Sequence, residues 1–229
     1  MALIQANTHL SDVILSEPGI IPVINRFGIL LGTGDSTVSE ICGKHGLDIE
    51  FFLTILNTYI NEEYFPEKIL KSFCASTIVT YLQKTYASYL HFQLPNIERH
   101  FHLLIERSGT NNNLGLMLKF FNELKQDLTD RIAFDNEQWF PSILSAGKGK
   151  PTDTHGTVDA WDSTTIEDKL NDLKSMFVIH LSGSYDLNLC HGVIVALITL
   201  EKDIRQNDRI RDRILIPIHR SITNSNSQS

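Results

Sequence analysis

The chain has 229 residues, enough for one large domain or for a small domain followed by a medium-sized one. Its hydrophobic fraction of 42% and charged fraction of 21% are ordinary for a soluble globular protein. The formal net charge of −7, without a basic stripe, argues against nucleic acid as the main partner.

The start of the chain and its apolar segments predict a cytoplasmic protein that does not enter a membrane. The first residues, MALIQANTHLSDVI, lack the positive start and apolar run of a signal peptide. The most apolar segment, VIVALITL at 193–200, is far shorter than the roughly 20 residues that a spanning helix needs. Cys42, Cys74 and Cys190 are odd in number and widely spaced, which predicts reduced thiols in helix cores.

Hydrophobic spacing predicts an all-α fold, because apolar residues recur every three or four positions and strand-like alternation is scarce. Residues 10–60 divide into short helical segments separated by Pro18, Gly28 and the loop GTGDS. The polar stretch NEEYFPEK at 61–68 reads as a connector. We therefore predict an N-terminal helical module with its connector over residues 1–72.

The rest of the chain predicts four long amphipathic helices over about 76–105, 114–140, 164–181 and 187–218. A kink is expected at Pro95, since proline removes a helical hydrogen bond, and the second helix should stop at its Trp-Phe-Pro sequence. Two short turns and one long polar loop join the helices. This pattern predicts an up-down-up-down bundle over residues 73–222, followed by a disordered tail at 223–229.

Polar residues interrupt the apolar stripes at matching ends of two helices. The second helix's stripe of Leu and Phe continues to Arg131 and Asp135, and the fourth helix's stripe continues to Asn207 and Arg211. Each pair is spaced i and i+4. Two such pairs, with one further position on each of the other two helices, form the layout of a dimetal bundle. The further positions are Ala87 on the first helix and Asp162 or Ser163 on the third.

Several stretches carry a family resemblance. They are LSDVILSEPGIIPVINRFGI and TVSEICGKHGLD near the N-terminus, YLHFQLPNIE in the first long helix, DNEQWFP closing the second and RIRDRILIPI closing the fourth. The chain resembles the iron–sulfur cluster repair di-iron proteins of the ScdA and YtfE type, also called regulators of cell morphogenesis and NO signalling. The resemblance implies an ScdA-like N-terminal module, a hemerythrin-like four-helix bundle, and a role in iron–sulfur cluster repair or the nitric oxide response.

The family's metal ligands do not carry over to this sequence. The helix-one histidine falls at Tyr86 or Ala87, and the helix-three histidine falls near Ser163. The histidine and carboxylate of helix two fall at Arg131 and Asp135, and the helix-four pair falls at Asn207 and Arg211. The family's N-terminal cysteine pair is replaced by Leu31 and Gly32. We therefore predict a degenerate metal site and no cofactor.

Electrostatics also opposes a metal ion beside two inward arginines. A unit charge about 4 Å from a guanidinium costs about 4 kcal/mol at an effective dielectric of about 20, and a divalent ion about twice that. We expect Arg131 to pair with Asp135, one turn further along the helix, and Arg211 to reach Asp162 or Asp208.

Three functions are compatible with these residues. The first is a metal-free regulatory or stress-response protein that binds an unidentified protein partner or small ligand, with a homodimer as one arrangement. The second is a di-iron protein of iron–sulfur cluster repair or of NO or oxygen sensing, with iron held by Asp135, Asp162 and a re-aimed histidine. The third is an anion-binding bundle that uses Arg131 and Arg211. No spacing indicates a catalytic triad or dyad, so we expect a binding protein rather than an enzyme.

Overall fold

The computed structural model describes residues 3–110, 112–146 and 163–220. These residues form helices, turns and loops, and none of them belongs to a β-strand; His9 and Thr37 make one isolated bridge. The all-α class is confirmed. No helix among the described residues is both long and apolar enough to cross a bilayer.

The N-terminal part contains short helices whose ends have identifiable caps. They are α1 (Leu10–Ser16), α2 (Ile21–Arg26), α3 (Val38–His45), α4 (Ile49–Ile60) and α5 (Glu67–Leu70). Thr37 and Glu40 form a capping box that starts α3, and Gly46 ends it in the left-handed conformation at φ 63°. Asp48 caps α4 by accepting a hydrogen bond from the backbone N–H of Phe51.

Four long helices follow, and each contains a π-helical turn. Helix A comprises α6 (Ala75–Ser88), a π turn (Tyr89–Gln93) and α7 (Leu94–Glu106). Helix B comprises α8 (Leu114–Phe134), a π turn (Asp135–Trp139) and α9 (Phe140–Ala146). Helix C comprises α10 (Ser163–Ser175) and a π turn (Met176–His180). Helix D comprises α11 (Leu187–Ile210), a π turn (Arg211–Leu215) and one more helical turn to residue 220.

The long helices contact one another in a ring, because α7 packs on α8, α8 on α10, α10 on α11 and α11 on α7. The short helices pack against this group: α2 contacts α6, and α4 contacts α11. Their buried apolar side chains belong to one continuous core. The hemerythrin-like arrangement and the division at residue 72 stay predictions.

The predicted stripes are buried on helices B, C and D. The buried positions include Leu114, Met117, Phe121, Leu124 and Leu128 on helix B, Ile166, Leu170, Leu173 and Phe177 on helix C, and Val193, Leu197, Leu200 and Ile204 on helix D. On helix A the predicted stripe was wrong at Ala87, which is exposed, while Tyr86 and Tyr89 are buried. The π turn Tyr89–Gln93 adds one residue to the turn, so counting back from Leu94 with a regular period selects the wrong face.

Three of the long helices have a proline shortly after their π turn. Pro95, Pro141 and Pro217 each lie two residues after the end of a π turn. Proline inside a regular helix clashes with the carbonyl four residues earlier, and the wider π turn relieves that crowding. The predicted stop at Trp-Phe-Pro was therefore wrong, because helix B continues through Pro141 to Ala146. A kink was predicted at Pro95, and the structure has a π turn that ends two residues before it.

Candidate functional site

Three arginines and three aspartates are buried between the helices. Arg131 and Asp135 come from helix B; Asp203, Asp208 and Arg211 come from helix D; Arg26 comes from the end of α2. All are 6% exposed or less. Their formal charges cancel, which suits a dry interior where an uncompensated ion is costly.

Asp135 and Arg211 form the central pair. The Arg211 guanidinium donates from Nε to Asp135 Oδ2 at 2.9 Å and from Nη2 to Oδ1 at 3.1 Å. The Tyr86 hydroxyl donates to the same Oδ2 at 2.7 Å. Arg211 also lies 4.5 Å from the ring centroid of Trp139, the last residue of the π turn that Asp135 begins. The carboxylate therefore accepts three hydrogen bonds from two neighbouring helices.

Arg131 pairs with Asp208 across the bundle. Its Nη1 and Nη2 donate to the two carboxylate oxygens at 3.0 and 2.6 Å. The predicted pair of Arg131 with Asp135 was therefore wrong, and so was the predicted pair of Arg211 with Asp208. A bidentate fork needs a carboxylate facing the guanidinium, and a neighbouring helix presents one.

Sequence reasoning missed the third pair, Arg26 with Asp203. Arg26 Nη2 donates to Asp203 Oδ2, and Nη1 donates to the Tyr81 hydroxyl at 3.3 Å. Asn207 Nδ2 joins this group by donating to Asp203 Oδ1 at 2.9 Å and to the Tyr89 hydroxyl at 3.0 Å. The pair ties α2 to helix D. Asp203 lies in the highly charged run EKDIRQNDRIRDR, a composition typical of a solvent-exposed helix face. The one sequence signal for its burial was its position four residues before Asn207, which was predicted to face inward.

π turns begin at three residues of this network: Tyr89, Asp135 and Arg211. In each turn the residue's carbonyl accepts from the N–H five positions later, at Leu94, Phe140 and Ile216 respectively. Such turns occur often at functional sites, where they re-aim side chains. Here they set the directions of the polar side chains on helices A, B and D.

Burial and pairing shift the proton affinities of the network. Burial raises the pKa of Asp208 to about 6, although the Arg131 guanidinium acts in the opposite direction. Burial, with the nearby charge of Asp135, raises the pKa of Tyr86 well above its ordinary value. The Tyr86 phenol therefore stays neutral and acts as a donor.

The remaining predicted site positions are not part of the network. Ala87 is exposed and lines a surface cavity instead. Ser163 begins α10, but nothing is described of its side chain, and Asp162 lies outside the described residues. Cys74 is exposed rather than in a helix core, whereas Cys42 and Cys190 are buried; all three are free thiols.

The donors that the structure describes around Asp135 do not fit a di-iron centre. Non-haem iron is held by imidazoles and carboxylates, yet Asp135 and Asp208 each give both oxygens to a guanidinium. Tyr86 faces this centre as a neutral phenol. No cluster of three or more His, Cys, Asp or Glu with metal-binding geometry occurs within residues 3–110, 112–146 and 163–220.

A cavity of about 720 Å³ lies between α2 and helix A. Arg26 lines it beside the exposed Lys84, and Asn25 and Gln93 add polar groups. Its apolar lining comes from Pro22, Phe27, Leu30, Ala87 and Phe92. Within residues 3–110, 112–146 and 163–220, no acidic residue lines this cavity.

No family model matches the sequence, and neither a curated protein nor a solved structure matches it.

Proposed function

We propose that the protein is a metal-free, hemerythrin-like four-helix bundle that acts by binding, in a regulatory or stress response. It is related in this proposal to the di-iron proteins of iron–sulfur cluster repair. In place of a metal centre, the bundle holds paired arginines and aspartates, which keep the helices in register. Its action then depends on what its surfaces and cavities bind.

One observation carries the proposal. Asp135 is the only carboxylate at a family ligand position, and Arg211, from another ligand position, takes both of its oxygens. An iron ion at Asp135 would have to displace this guanidinium and leave it buried with Asp212 as its remaining carboxylate partner. Removing one partner of a buried ion pair typically costs roughly 3–5 kcal/mol, and the contact with Asp212 makes the cost of displacing Arg211 smaller than that.

Metal analysis tests the proposal. The protein is expressed in iron-supplemented cells, purified without chelators, and measured for iron per chain and for an oxo-bridged di-iron absorption band. We expect no stoichiometric iron and no band. About two irons per chain, as in di-iron bundles, would overturn the proposal and establish the second hypothesis, cluster repair or gas sensing.

A variant with restored ligands provides the matched comparison. Tyr86→His, Arg131→His, Asn207→His and Arg211→Glu together remove both inward guanidiniums and supply imidazole and carboxylate donors near Asp135. If the arginines exclude the metal, this variant takes up iron that the parent protein does not. Circular dichroism on both proteins checks that the helices are retained.

The third hypothesis, an anion site at Arg131 and Arg211, receives no support from the contacts. Both guanidiniums are bidentate to aspartates, so neither offers a free fork to an added anion. Thermal shift with phosphate, nitrate and nitrite separates this hypothesis from the first. Stabilisation that disappears in Arg131→Ala would favour it.

A further inference from the structure

The cavity between α2 and helix A combines features of a ligand site that the helix core does not use. Its volume of about 720 Å³ lies within the range of about 300–1,000 Å³ that small-molecule sites span. Its walls are mostly apolar, with a few polar groups at one place. We propose that this cavity binds a small amphipathic anion, a carboxylate carried on an apolar body.

The first argument is an unused donor at Arg26. The side chain is 1% exposed and lines the cavity, yet its Nε has no hydrogen-bond partner among the described residues. The guanidinium donates from Nη2 to Asp203 and from Nη1 to the Tyr81 hydroxyl. A buried N–H without an acceptor costs about 1–3 kcal/mol. Because Nε is itself closed off from solvent, a carboxylate oxygen relieves this cost once the Arg26 side chain shifts to meet it.

The second argument is charge. Lys84 lines the cavity, is exposed, and has no ion-pair partner among the residues that the structure describes. The described part of the chain contributes no acidic side chain to the lining, so none of its lining residues neutralises the ammonium. A neighbouring cavity of about 300 Å³ shares Phe27 and Lys84 but includes Asp48. The larger cavity is therefore the one that suits an anion.

The third argument is the apolar wall. Leu30 and Phe92 are 74% and 71% exposed, although they lie beside a cavity that Phe27 and Pro22 also line. Exposed apolar side chains gathered at a concave surface indicate a binding site, since covering them removes apolar area from water. The ligand's apolar body would lie on this wall while its carboxylate reaches Arg26 and Lys84.

This inference deepens the proposed function, because it names the class of ligand that a binding protein of this fold would take. The two can fail separately. Two irons per chain would overturn the metal-free proposal and leave the cavity as it is, whereas a failed ligand titration would leave the iron result unchanged.

Isothermal titration calorimetry with three probes of equal chain length tests the inference. The probes are decanoate, decan-1-ol and decylamine, all below their aggregation concentrations. We expect saturable binding of one decanoate per chain, about ten-fold or more tighter than decan-1-ol, and no measurable binding of decylamine. A ten-fold preference corresponds to about 1.4 kcal/mol, a reasonable value for one charged contact.

Two variants and one matched control locate the site. Lys84→Met keeps the aliphatic stem and removes the charge, so it should weaken decanoate binding about ten-fold and leave decan-1-ol unchanged. Phe92→Ser should weaken both. Lys119→Met changes an exposed lysine of helix B away from the cavity and should bind decanoate like the parent. Both lysine variants alter exposed side chains, so the fold should persist.

NMR on the intact protein gives a direct readout at Arg26. Arg26 and Arg131 both have an Nε–H without a partner among the described residues, but only Arg26 lines the cavity. Decanoate should shift the Arg26 Nε–H resonance and leave that of Arg131 in place. Equal affinity for all three probes would identify an apolar surface without charge selectivity, such as one for a partner helix, and would overturn the proposal. So would an unchanged affinity in Lys84→Met, or no saturable binding of decanoate.

Discussion

Arg211 of helix D holds Asp135 of helix B through two hydrogen bonds, at 2.9 and 3.1 Å, with both side chains 1% exposed or less. Replacing Arg211 leaves Asp135 as a buried carboxylate with the Tyr86 hydroxyl but no guanidinium donating to it. We expect Arg211→Met to lower the free energy of unfolding by roughly 3–5 kcal/mol, measured by urea denaturation.

Two comparisons decide whether that loss of stability comes from the buried Asp135 carboxylate that has lost its guanidinium. Adding Asp135→Leu to Arg211→Met should recover much of the stability, because apolar replacements of a buried pair are often tolerated. Lys71→Met, which removes the exposed partner of Glu67, should change stability little. A double variant as unstable as the single one would contradict this account.

The partner choice of Arg131 can be measured with double-mutant cycles. Its bidentate contact with Asp208 should give a coupling energy of about 2–3 kcal/mol between Arg131→Met and Asp208→Leu. The corresponding cycle with Asp135→Leu should give less than about 1 kcal/mol, since no hydrogen bond joins those two side chains. The reverse ranking would restore the pair predicted from the sequence.

The raised pKa of Asp208, about 6 against an ordinary 3.8, predicts an unusual pH dependence. Between pH 3.8 and about 6, Asp208 is mostly protonated in the folded protein and mostly ionised in the unfolded chain. Its proton uptake therefore stabilises the folded state at low pH, and this stabilisation is lost as the pH rises through about 6. Lowering the pH from 7 to 5 should therefore raise this group's contribution to stability by on the order of 1 kcal/mol, against the opposite contribution of His219, whose pKa burial lowers. Urea titrations at several pH values measure the slope.

Asp208→Asn separates this slope from the loss of the ion pair. The variant should be less stable at every pH, yet its stability should depend less on pH between 7 and 5. Asp130→Asn alters an exposed carboxylate of helix B and should keep the parent slope. The same slope in the parent and in Asp208→Asn would refute the prediction.

Cys74 should react first among the thiols. Hydrogen bonds from the Ser76 and Thr77 hydroxyls lower the pKa of this exposed thiol from 9.0 to about 7. Because the thiolate is the nucleophile, alkylation by iodoacetamide should rise with pH around a midpoint near 7. Mass spectrometry of the native protein should find Cys42 and Cys190 unmodified.

Removing the two hydroxyls tests the cause of the low pKa. The variant Ser76→Ala with Thr77→Val should move the midpoint for Cys74 to higher pH, towards the ordinary value. Cys74→Ser should abolish native-state alkylation. Equal labelling of all three cysteines at pH 7 would show that burial does not protect Cys42 and Cys190.

Much of the helix placement and the burial of the arginines could be predicted from the sequence. An apolar period that runs on into Arg131 and Arg211 indicates that both side chains face inward, and both are buried. Their partners could not be predicted in the same way. Spacing along one helix says which residues share a face, but not which carboxylate a neighbouring helix presents to it.

The third pair shows the same limit more strongly. Arg26 closes a short helix, and its partner Asp203 is far away in the sequence, so no local pattern connects them. The π turns could not be predicted from the apolar period either. Because the turn in helix A was not foreseen, Ala87 was wrongly predicted to face inward. One sequence signal was present for them, since Pro95 and Pro217 fall inside predicted helices and Pro141 directly follows one, and proline disfavours a regular helix at each place.

Each π turn makes its helix one residue longer than the regular spacing needs, so a helix does not tolerate length changes equally along its length. Deleting one residue from 136–138 would let the turn of helix B close as a regular one, and Phe140 and the residues after it would keep the faces they have now. Phe140 would then stay stacked on Tyr86, 5.8 Å between ring centroids. A deletion inside the regular part of α8 would instead rotate everything after it by about 100°. The π turn is therefore the place in helix B where the loss of one residue should cost least.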